Sequence, residues 1–538
     1  MGHSLLEPDT EELDPHVHAR RWLILATLCI SLLIIALDNT ILNVAIPKMI
    51  EDLHASNSEI QWILDAYVLV FAGLLLTTGS LSDRFGRKGA LQTGLLVFTI
   101  GSVSAALSTS TIQLILSRGL MGIGGALIMP STLSILANVF RDPRERGRAI
   151  AVWAGFSGLG VAIGPVTGGL LLAHFSWGSV FWVNVPIAAV AIIAGAIMIP
   201  KSKDPNQGDL DPLGAILSII GLGGLLFGII EGPSEGWTDP KVIGAFLIGV
   251  IAVGAFVMWE LHTDHPMLDM HFFQNPRFTA ANSAITLTFF AMFGSMLLIT
   301  QYWQFVHGYS PLGAGVRMVP FAITMMIVAP LSARFVERVG TKRVVSAGLL
   351  IVAIALVSLS FIGRTTPYVV VILLFCLMSV GMGMTMAPAT ESVMGSLPRE
   401  KAGVGSAVND TTRQMGGALG VAVIGSVSSS IYAAQIGSLA PDFGLSGSAL
   451  AEAKSSLGGG LAVAPTLGAR TGEFLIEVKD GFVQALSSGL RLGAFVVLGA
   501  AFVAWRFLPA RAHDPLVTEA DEHAPEDGEA VPVPVGGE

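Results

Sequence analysis

Long apolar runs alternate along the chain with short segments that carry charged residues. About 20 apolar residues allow a helix to cross the hydrocarbon core of a bilayer, so each long run predicts a transmembrane helix. Dividing the chain at its charged segments predicts fourteen such helices. Their approximate limits are 22–47, 59–81, 89–108, 111–137, 147–174, 180–200, 211–231, 241–260, 278–301, 312–333, 343–363, 367–391, 402–433 and 485–508. The pattern therefore predicts an all-α integral membrane protein.

The composition agrees with this pattern and narrows the class of protein. Hydrophobic residues make up 52% of the chain and charged residues 13%, whereas soluble domains have about 25% charged residues. Much of the net charge of −9 lies in the two ends. Residues 1–21 are predicted to form a cytoplasmic tail, and 509–538 a disordered acidic one. The spans leave no room for a soluble catalytic domain, so we do not expect an enzyme.

Neither a metal site nor a cofactor is predicted. Cys29 and Cys376 lie inside apolar runs, and the loop that holds His262, His265 and His271 has no cysteine to complete a ligand set. No Walker lysine is found, so ATP hydrolysis is not the expected energy source. We also expect no nucleic acid and no obligate protein partner.

The distribution of Lys and Arg predicts the orientation of the chain. An even number of spans places both termini on one side of the membrane. Cytoplasmic segments normally carry the excess of Lys and Arg. That excess falls on the side of the termini in this chain, and includes Arg84, Arg87, Lys88, Arg141, Arg144, Arg146, Arg148, Arg338, Lys342 and Arg343. Both termini are therefore expected on the cytoplasmic side of the cell membrane.

Two segments repeat at one spacing and divide the chain into halves. The segment Gly79 to Lys88 returns in altered form at 333–342, an offset of 254 residues. Pro143-Arg144-Glu145-Arg146 returns at 398–401, an offset of 255. Parallel six-helix halves of this kind occur in secondary transporters. The repeat predicts one bundle over 22–200 and a second over 278–508, the latter with an external loop at about 434–484. A two-helix hairpin with its linkers would fill 201–277.

Charged side chains inside the predicted spans are the first candidates for function. Asp38 lies within the first span and Arg118 within the fourth. A charged group in a span normally faces a partner or water, and marks an ion pathway or a proton relay. Asp38, Arg118 and Asp65 lie at similar depth, so they are expected to meet in the first half. A purely structural role for Asp38 remains the alternative.

Several short motifs stand in order along most of the chain: Asp38-x-Thr40-x-x-Asn43-Val44-Ala45-x-Pro47, Gly79 to Lys88, Arg118 with Gly122 and Gly124, Gly160-x-x-x-Gly164-Pro165-x-x-Gly168-Gly169, Gly308-Tyr309-Ser310-Pro311, and Gly403 to Gly417. Together they resemble the major facilitator superfamily, in its fourteen-helix drug:proton antiporter branch. Met121 departs from the pattern, because the fourth-helix motif commonly has glutamine there. The resemblance implies the major facilitator fold, two six-helix bundles with an inserted hairpin.

Two further groups of residues have candidate roles in substrate binding and in gating. Asp65, with Trp62 and Tyr67 as aromatic neighbours, is assigned to the binding of a substrate that is a lipophilic cation. Trp62 is equally well explained as an interfacial anchor. The gating candidates are Asp83, Arg84, Gly86, Arg87 and Lys88 in the first loop and Gly160, Gly164, Pro165, Gly168 and Gly169 in the fifth span. Topological anchoring and ordinary close packing are the respective alternatives.

The second half has fewer ionisable candidates. Alignment of the halves places apolar residues opposite Asp38 and Arg118. Asp410 and Arg413 lie three residues apart on one helix face, so they are expected to pair and are read as structural. Glu391 is a further secondary candidate.

The interpretation that fits these features best is a proton-driven exporter of small amphipathic organic molecules. It would alternate between two states around a cavity between the halves, driven by the proton gradient. Drugs, dyes, antiseptics or a natural product are the substrates that the resemblance implies. An uptake symporter and a non-transporting sensor or scaffold are the alternatives.

Overall fold

A computed structural model describes residues 15–53, 57–203, 211–264, 266–398 and 401–509. Within these ranges the regular structure is helical, and no strand occurs. The acidic stretch predicted after 509, and most of the predicted tail at 1–21, lie outside the described residues.

The helices follow the predicted spans closely. The first half contains α1 (Pro15–Leu53), α2 (Asn57–Phe85), α3 (Arg87–Ala106), α4 (Thr111–Val139), α5 (Pro143–His174), α6 (Ser179–Trp182) and α7 (Asn184–Met198). The inserted hairpin consists of α8 (Pro212–Glu235) and α9 (Pro240–Glu260). The second half contains α10 (Pro276–Gln301), α11 (Pro311–Arg317), α12 (Val319–Val339), α13 (Thr341–Leu359), α14 (Tyr368–Met394), α15 (Ala402–Phe443), α16 (Gly447–Ser455), α17 (Leu457–Val463) and α18 (Thr471–Phe507). Short 3-10 helices lie at Met270–Gln274 and Ala464–Arg470, and a π-helical turn at Tyr302–Val306.

The structure confirms a multi-pass membrane protein. Thirteen segments of the described chain are long and apolar enough to cross a bilayer. α5 has 32 residues, with only part of its side chains described, and is the fourteenth long helix. The predicted sixth span is divided into α6 and α7, and the tenth into α11 and α12.

The segment 434–484 differs from the predicted loop because most of it is helical. α15 continues to Phe443, and α18 begins at Thr471 rather than near 485. At 1.5 Å per residue, the 37 residues of α18 span about 55 Å, well beyond a hydrocarbon core of about 30 Å. The guanidinium of Arg470 lies 4.3 Å from the Phe443 ring, and Phe443 lies 5.1 Å from Phe474. These contacts join the end of α15 to the start of α18, both of which lie beyond the apolar runs from which the spans were predicted.

The repeat has a direct structural counterpart at the two short loops. Gly86 joins α2 to α3 with φ 111°, and Gly340 joins α12 to α13 with φ 88°. Residues with a side chain rarely adopt this backbone conformation, so glycine is required at both turns. The two glycines are 254 residues apart, which is the offset read from the sequence.

Glycines on the fifth helix of each half mark a second repeated contact. A Cβ added at Gly160 or Gly164 of α5 would press on Ala36 or Thr40 of α1, and one at Gly416 or Gly420 of α15 would press on the α10 backbone at Thr286 or Phe290. Matching these contacts places Thr288 opposite Asp38, so the expectation of an apolar residue there is wrong. Thr288 is polar but not ionisable, so the second half has no carboxylate at the position of Asp38.

The inserted hairpin packs against both halves. α8 contacts α2 of the first half and α15 of the second. The hydroxyls of Thr77 and Ser218 lie 3.5 Å apart, and the Trp237 indole donates to Ser426 Oγ at 3.3 Å. The hairpin therefore lies beside the junction of the halves rather than at the edge of one of them.

Candidate proton-coupling site and its gates

A buried ion pair lies in the middle of the first half. Arg118 Nη1 on α4 donates to Asp38 Oδ2 on α1 at 2.5 Å. The side-chain exposure is 0% for Asp38 and 2% for Arg118. The structure therefore brings together two of the three residues that were expected to meet. Breaking such a buried pair by removing one partner typically costs about 3–5 kcal/mol, because the other charge is left uncompensated.

The guanidinium of Arg118 is held on several sides by α2. Its Nε donates to the Ile63 carbonyl at 3.0 Å, and its Cζ lies 4.4 Å from the centre of the Tyr67 ring. Tyr67 is fully buried and stacks on Phe71 at 5.6 Å. Because one face of Tyr67 is already used by Arg118, that ring does not offer a free surface to a ligand in this conformation.

Asn184 completes the environment of Asp38 and was missed by the sequence analysis. Its Nδ2 donates to Asp38 Oδ1 at 3.3 Å and to Ser102 Oγ at 3.1 Å. Asn184 is fully buried at the start of α7. A polar amide within a predicted apolar span was the available signal, because such a group needs a partner there.

The candidate substrate residues point in different directions. Trp62 packs against Phe227 of the inserted hairpin, with ring centres 5.9 Å apart. Tyr67 contacts Arg118 on the opposite side of α2, and Asp65, which is half-buried, lies between them in sequence. The three residues do not form one aromatic cage around a ligand in this conformation.

The glycine stripe of α5 faces α1 of the same half. A Cβ added at Gly164 would lie 2.9 Å from Cβ of Thr40, and one at Gly168 would lie 2.9 Å from Ile41 Cγ1. The bare face at Gly160, Gly164 and Gly168 is therefore in contact within the first half. The spacing shows that a backbone approaches closely but not which one, and here it is the helix that carries Asp38.

Other positions of α5 do contact the second half. A Cβ added at Gly155 would lie 3.3 Å from Met326 Cα on α12, and one at Gly169 would lie 2.5 Å from Leu312 Cδ1 on α11. α5 thus lies between α1 and the second bundle. The side chain of Pro165 falls outside the described residues.

Asp83 links the two halves at the end of the bundle where α1 begins and α2 ends, here called the Asp83 end. Its Oδ2 accepts hydrogen bonds from the backbone N–H groups of Gly403 and Val404 at 2.7 and 3.1 Å. Its Oδ1 accepts from Arg87 Nε at 2.8 Å and from Ser134 Oγ at 3.3 Å. A carboxylate at a helix N-terminus is stabilised by the free N–H groups and by the helix dipole. The loop of the first half therefore holds the start of α15 in the second.

The remaining loop cations have separate contacts. Lys88 Nζ donates to the Ala196 carbonyl at 2.7 Å, within the first half. Arg84 lies 5.7 Å from the Phe85 ring. Asp83 therefore makes the buried link between the halves, and Arg87 is its charged partner within the first half.

Glu391 adds a second contact between the halves at the Asp83 end. Arg146 on α5 binds it through two nitrogens, Nε at 3.0 Å and Nη2 at 2.8 Å. A third contact joins Arg148 to Glu337 at 3.1 Å, but these side chains are 49% and 36% exposed. The sequence analysis selected Glu391 without a role, because its partner lies 245 residues away.

Asp410 and Arg413 form only a loose pair. Their closest oxygen and nitrogen are 3.9 Å apart. Arg413 Nη2 donates to Thr390 Oγ1 at 3.2 Å, and its Cζ lies 4.9 Å from the Trp153 ring on α5. Arg413 therefore reaches from the second half to the first.

Comparison with known proteins identifies the family. The model of the Major Facilitator Superfamily matches residues 28–421. The chain belongs to this superfamily. The Multidrug efflux pump LfrA of Mycolicibacterium smegmatis is 34% identical over 485 residues, which cover 90% of this chain and 95% of LfrA. The Tetracenomycin C resistance and export protein of Streptomyces glaucescens is 30% identical over 528 residues, 96% of this chain and 95% of that protein.

A solved structure supports the superfamily fold independently. The human organic anion transporter MFSD10 superposes with a TM-score of 0.59 at 16% identity, covering 90% of this chain and all of that one. At this identity the likeness concerns the fold alone. Membership of the superfamily accounts for the duplicated bundles and indicates a transporter rather than an enzyme.

The contact between α5 and α1 predicts a large effect of bulk at Gly164. Gly164→Val should destabilise the protein by about 1–3 kcal/mol. The new side chain must displace Thr40, which lies two residues after Asp38 on α1. Thermal unfolding of the purified protein in detergent would show a lower midpoint. Gly147→Val on the same helix is the control, since no atom lies within 4 Å of its added Cβ. Equal midpoints for the two variants would contradict the close packing.

The Asp83 link predicts a change in opening at this end. Asp83→Asn keeps the side-chain shape but removes the charge that binds Arg87 and the α15 terminus. In a background without Cys29 and Cys376, a buried cysteine introduced as Ser406→Cys should react with a maleimide several-fold faster when Asp83→Asn is added. Arg148→Gln is the comparison and should have a smaller effect, because exposed pairs contribute about 0–1 kcal/mol. Unchanged reactivity in Asp83→Asn would contradict the role of Asp83 in holding the halves together at this end.

Proposed function

We propose that the protein is a proton-coupled antiporter that exports small amphipathic organic compounds, with cations favoured. The observation that carries the proposal is the buried pair of Asp38 and Arg118. A carboxylate without exposure to solvent is costly in a membrane unless a cation neutralises it. Proton binding at Asp38 offers another way to neutralise it. The relatives named for multidrug efflux and for resistance and export support the direction of transport.

Proton uptake at Asp38 would alter the forces that hold the first half together. Arg118 donates to the ionised carboxylate, and protonation removes the charge that attracts it. Arg118 would then rely on the Ile63 carbonyl and the Tyr67 ring. Because α1, α2 and α4 all meet at this pair, a change in its charge can favour one arrangement of these helices over another.

Alternating access would then open and close the two ends in turn. We assign the Asp83 end to the cytoplasm, in agreement with its Lys and Arg content. In the present conformation three polar links join the halves at this end, formed by Asp83, by Glu391 and by the exposed Arg148–Glu337 pair. The driven proton would enter from the opposite side and leave to the cytoplasm while substrate moves outward. The gradient supplies the energy, so no cofactor takes part.

Asp65 is the residue that we assign to the substrate. It is half-buried on α2, close in sequence to Tyr67, and an anionic group at this depth favours a cationic compound. Trp62 and Phe227 form an aromatic contact between α2 and the hairpin, and could widen the site if the hairpin moves.

The proposal predicts that Asp38→Asn abolishes gradient-driven efflux. The amide cannot exchange a proton, so transport should fall to the level of passive leak while folded protein remains in the membrane. Dye accumulation in everted vesicles, with and without a proton gradient, measures this directly. Wild-type vesicles should accumulate dye only with the gradient. Accumulation by Asp38→Asn would exclude the assignment. Failure of wild-type vesicles to accumulate any tested dye, combined with uptake in intact cells, would favour a symporter.

The assignment of Asp65 predicts a change in selectivity. Asp65→Asn should lower the affinity for cationic substrates about tenfold and that for neutral ones little, because only the charge is removed. Binding of one cationic and one neutral dye of similar size to the purified variant would test this. Equal loss for both dyes would assign Asp65 a structural or proton-binding role instead.

A further inference from the structure

We propose that Asn184 is a positioning residue for proton coupling, which holds the ionised Asp38 carboxylate by donating a hydrogen bond to it. This inference depends on the proposed function of Asp38. Asn184 lies on α7, outside every motif that the sequence analysis selected. Its side chain reaches Asp38 Oδ1, while Arg118 occupies Oδ2. The two oxygens of the carboxylate are therefore held by different helices.

The orientation of the Asn184 amide follows from its second partner. Ser102 Oγ donates its proton to the Phe181 carbonyl at 2.8 Å. Its oxygen is then an acceptor toward Asn184, so the NH₂ group must face Ser102. The same NH₂ group lies 3.3 Å from Asp38 Oδ1 and donates to it. A chain from Phe181 through Ser102 to Asn184 thus presents a donor to the ionised carboxylate.

The other end of the amide is unusual because its oxygen is unused. Asn184 Oδ1 is buried and has no hydrogen-bond partner among the described residues. A buried acceptor without a donor has a desolvation cost. The amide keeps this orientation despite that cost, because turning it over would break its hydrogen bonds to both Ser102 and Asp38. The side chain is therefore fixed as a donor to the ionised carboxylate.

The groups that face Asp38 from neighbouring helices limit the alternatives. Among the described residues, Arg118 on α4 and Tyr67 on α2 are ionisable groups that interact with it, and Asp65 lies two residues before Tyr67 on α2. From α5 the described contacts with this part of α1 come from glycines, and α6 supplies the Phe181 carbonyl through Ser102. Within the part of the chain that the structure describes, Asn184 is thus the uncharged side chain that donates a hydrogen bond to Asp38.

The consequence is a specific effect on proton release. A hydrogen bond to the charged form of an acid favours that form. Without the amide, Asp38 should lose its proton only at higher pH, while the substrate residues are unchanged. A merely structural asparagine would instead alter the amount of folded protein or the maximal rate, without moving the pH profile.

The test compares the pH dependence of gradient-driven dye efflux among four variants in everted vesicles. Asn184→Leu keeps the side-chain size, and its acidic limb should move to higher pH by about one unit, with dye affinity changed less than twofold. Ser102→Ala removes the acceptor that orients the amide, so a smaller shift in the same direction is expected. Asn282→Leu is the matched control, because Asn282 is a buried asparagine of α10 that donates to the Phe278 carbonyl. Its pH profile should not move. Asp38→Asn is the fourth variant.

The outcomes separate this inference from the proposed function. Unshifted profiles in both Asn184→Leu and Ser102→Ala, while Asp38→Asn abolishes efflux, would overturn the role of Asn184 alone. Retained coupled efflux in Asp38→Asn would overturn the proposed function itself. If Asn184→Leu does not fold, the Ser102→Ala profile decides, and an unshifted profile again overturns the inference. An equal shift in Asn282→Leu would also overturn it.

Discussion

The cost of placing a charge inside a membrane is the constraint on which the first half of this protein depends. Asp38 has no exposed side-chain surface, so its carboxylate must be neutralised or hydrogen-bonded by protein groups. Arg118 provides the opposite charge, and Asn184 provides a second donor. These partners come from α4 and α7, while α2 supports the guanidinium through the Ile63 carbonyl and the Tyr67 ring. Four helices are thus held in register by one ionised group.

The two halves share their packing but not their chemistry. Glycines of α5 and α15 bring each helix close to the first helix of its own half, and Gly86 and Gly340 close equivalent turns. The position that corresponds to Asp38 holds Thr288, which is not ionisable. The duplicated packing therefore does not carry the Asp38–Arg118 pair into the second half.

Polar and apolar contacts both join the two halves. Asp83 meets backbone N–H groups at the start of α15, and Glu391 meets Arg146 through two nitrogens. Close packing also joins the halves, because α5 lies against α12 at Gly155. Gly164 of the same helix faces α1 of its own half. α5 is therefore packed on both sides, against the helix that carries Asp38 and against the second bundle.

The sequence by itself determined the membrane class, the number of long helices, the duplication and the pairing of Asp38 with Arg118. These follow from hydropathy, from repeat spacing and from depth within a span, all of which are properties of position along a helix. The tertiary structure alone decided which surface each helix face meets. Gly164 needs a close neighbour, but only packing shows that it is α1. Asn184 looked like one polar residue in an apolar run until α7 placed it against Asp38, and Glu391 acquired a partner only where two distant loops meet. Such partners depend on the rotation and crossing of helices, which no one-dimensional pattern records.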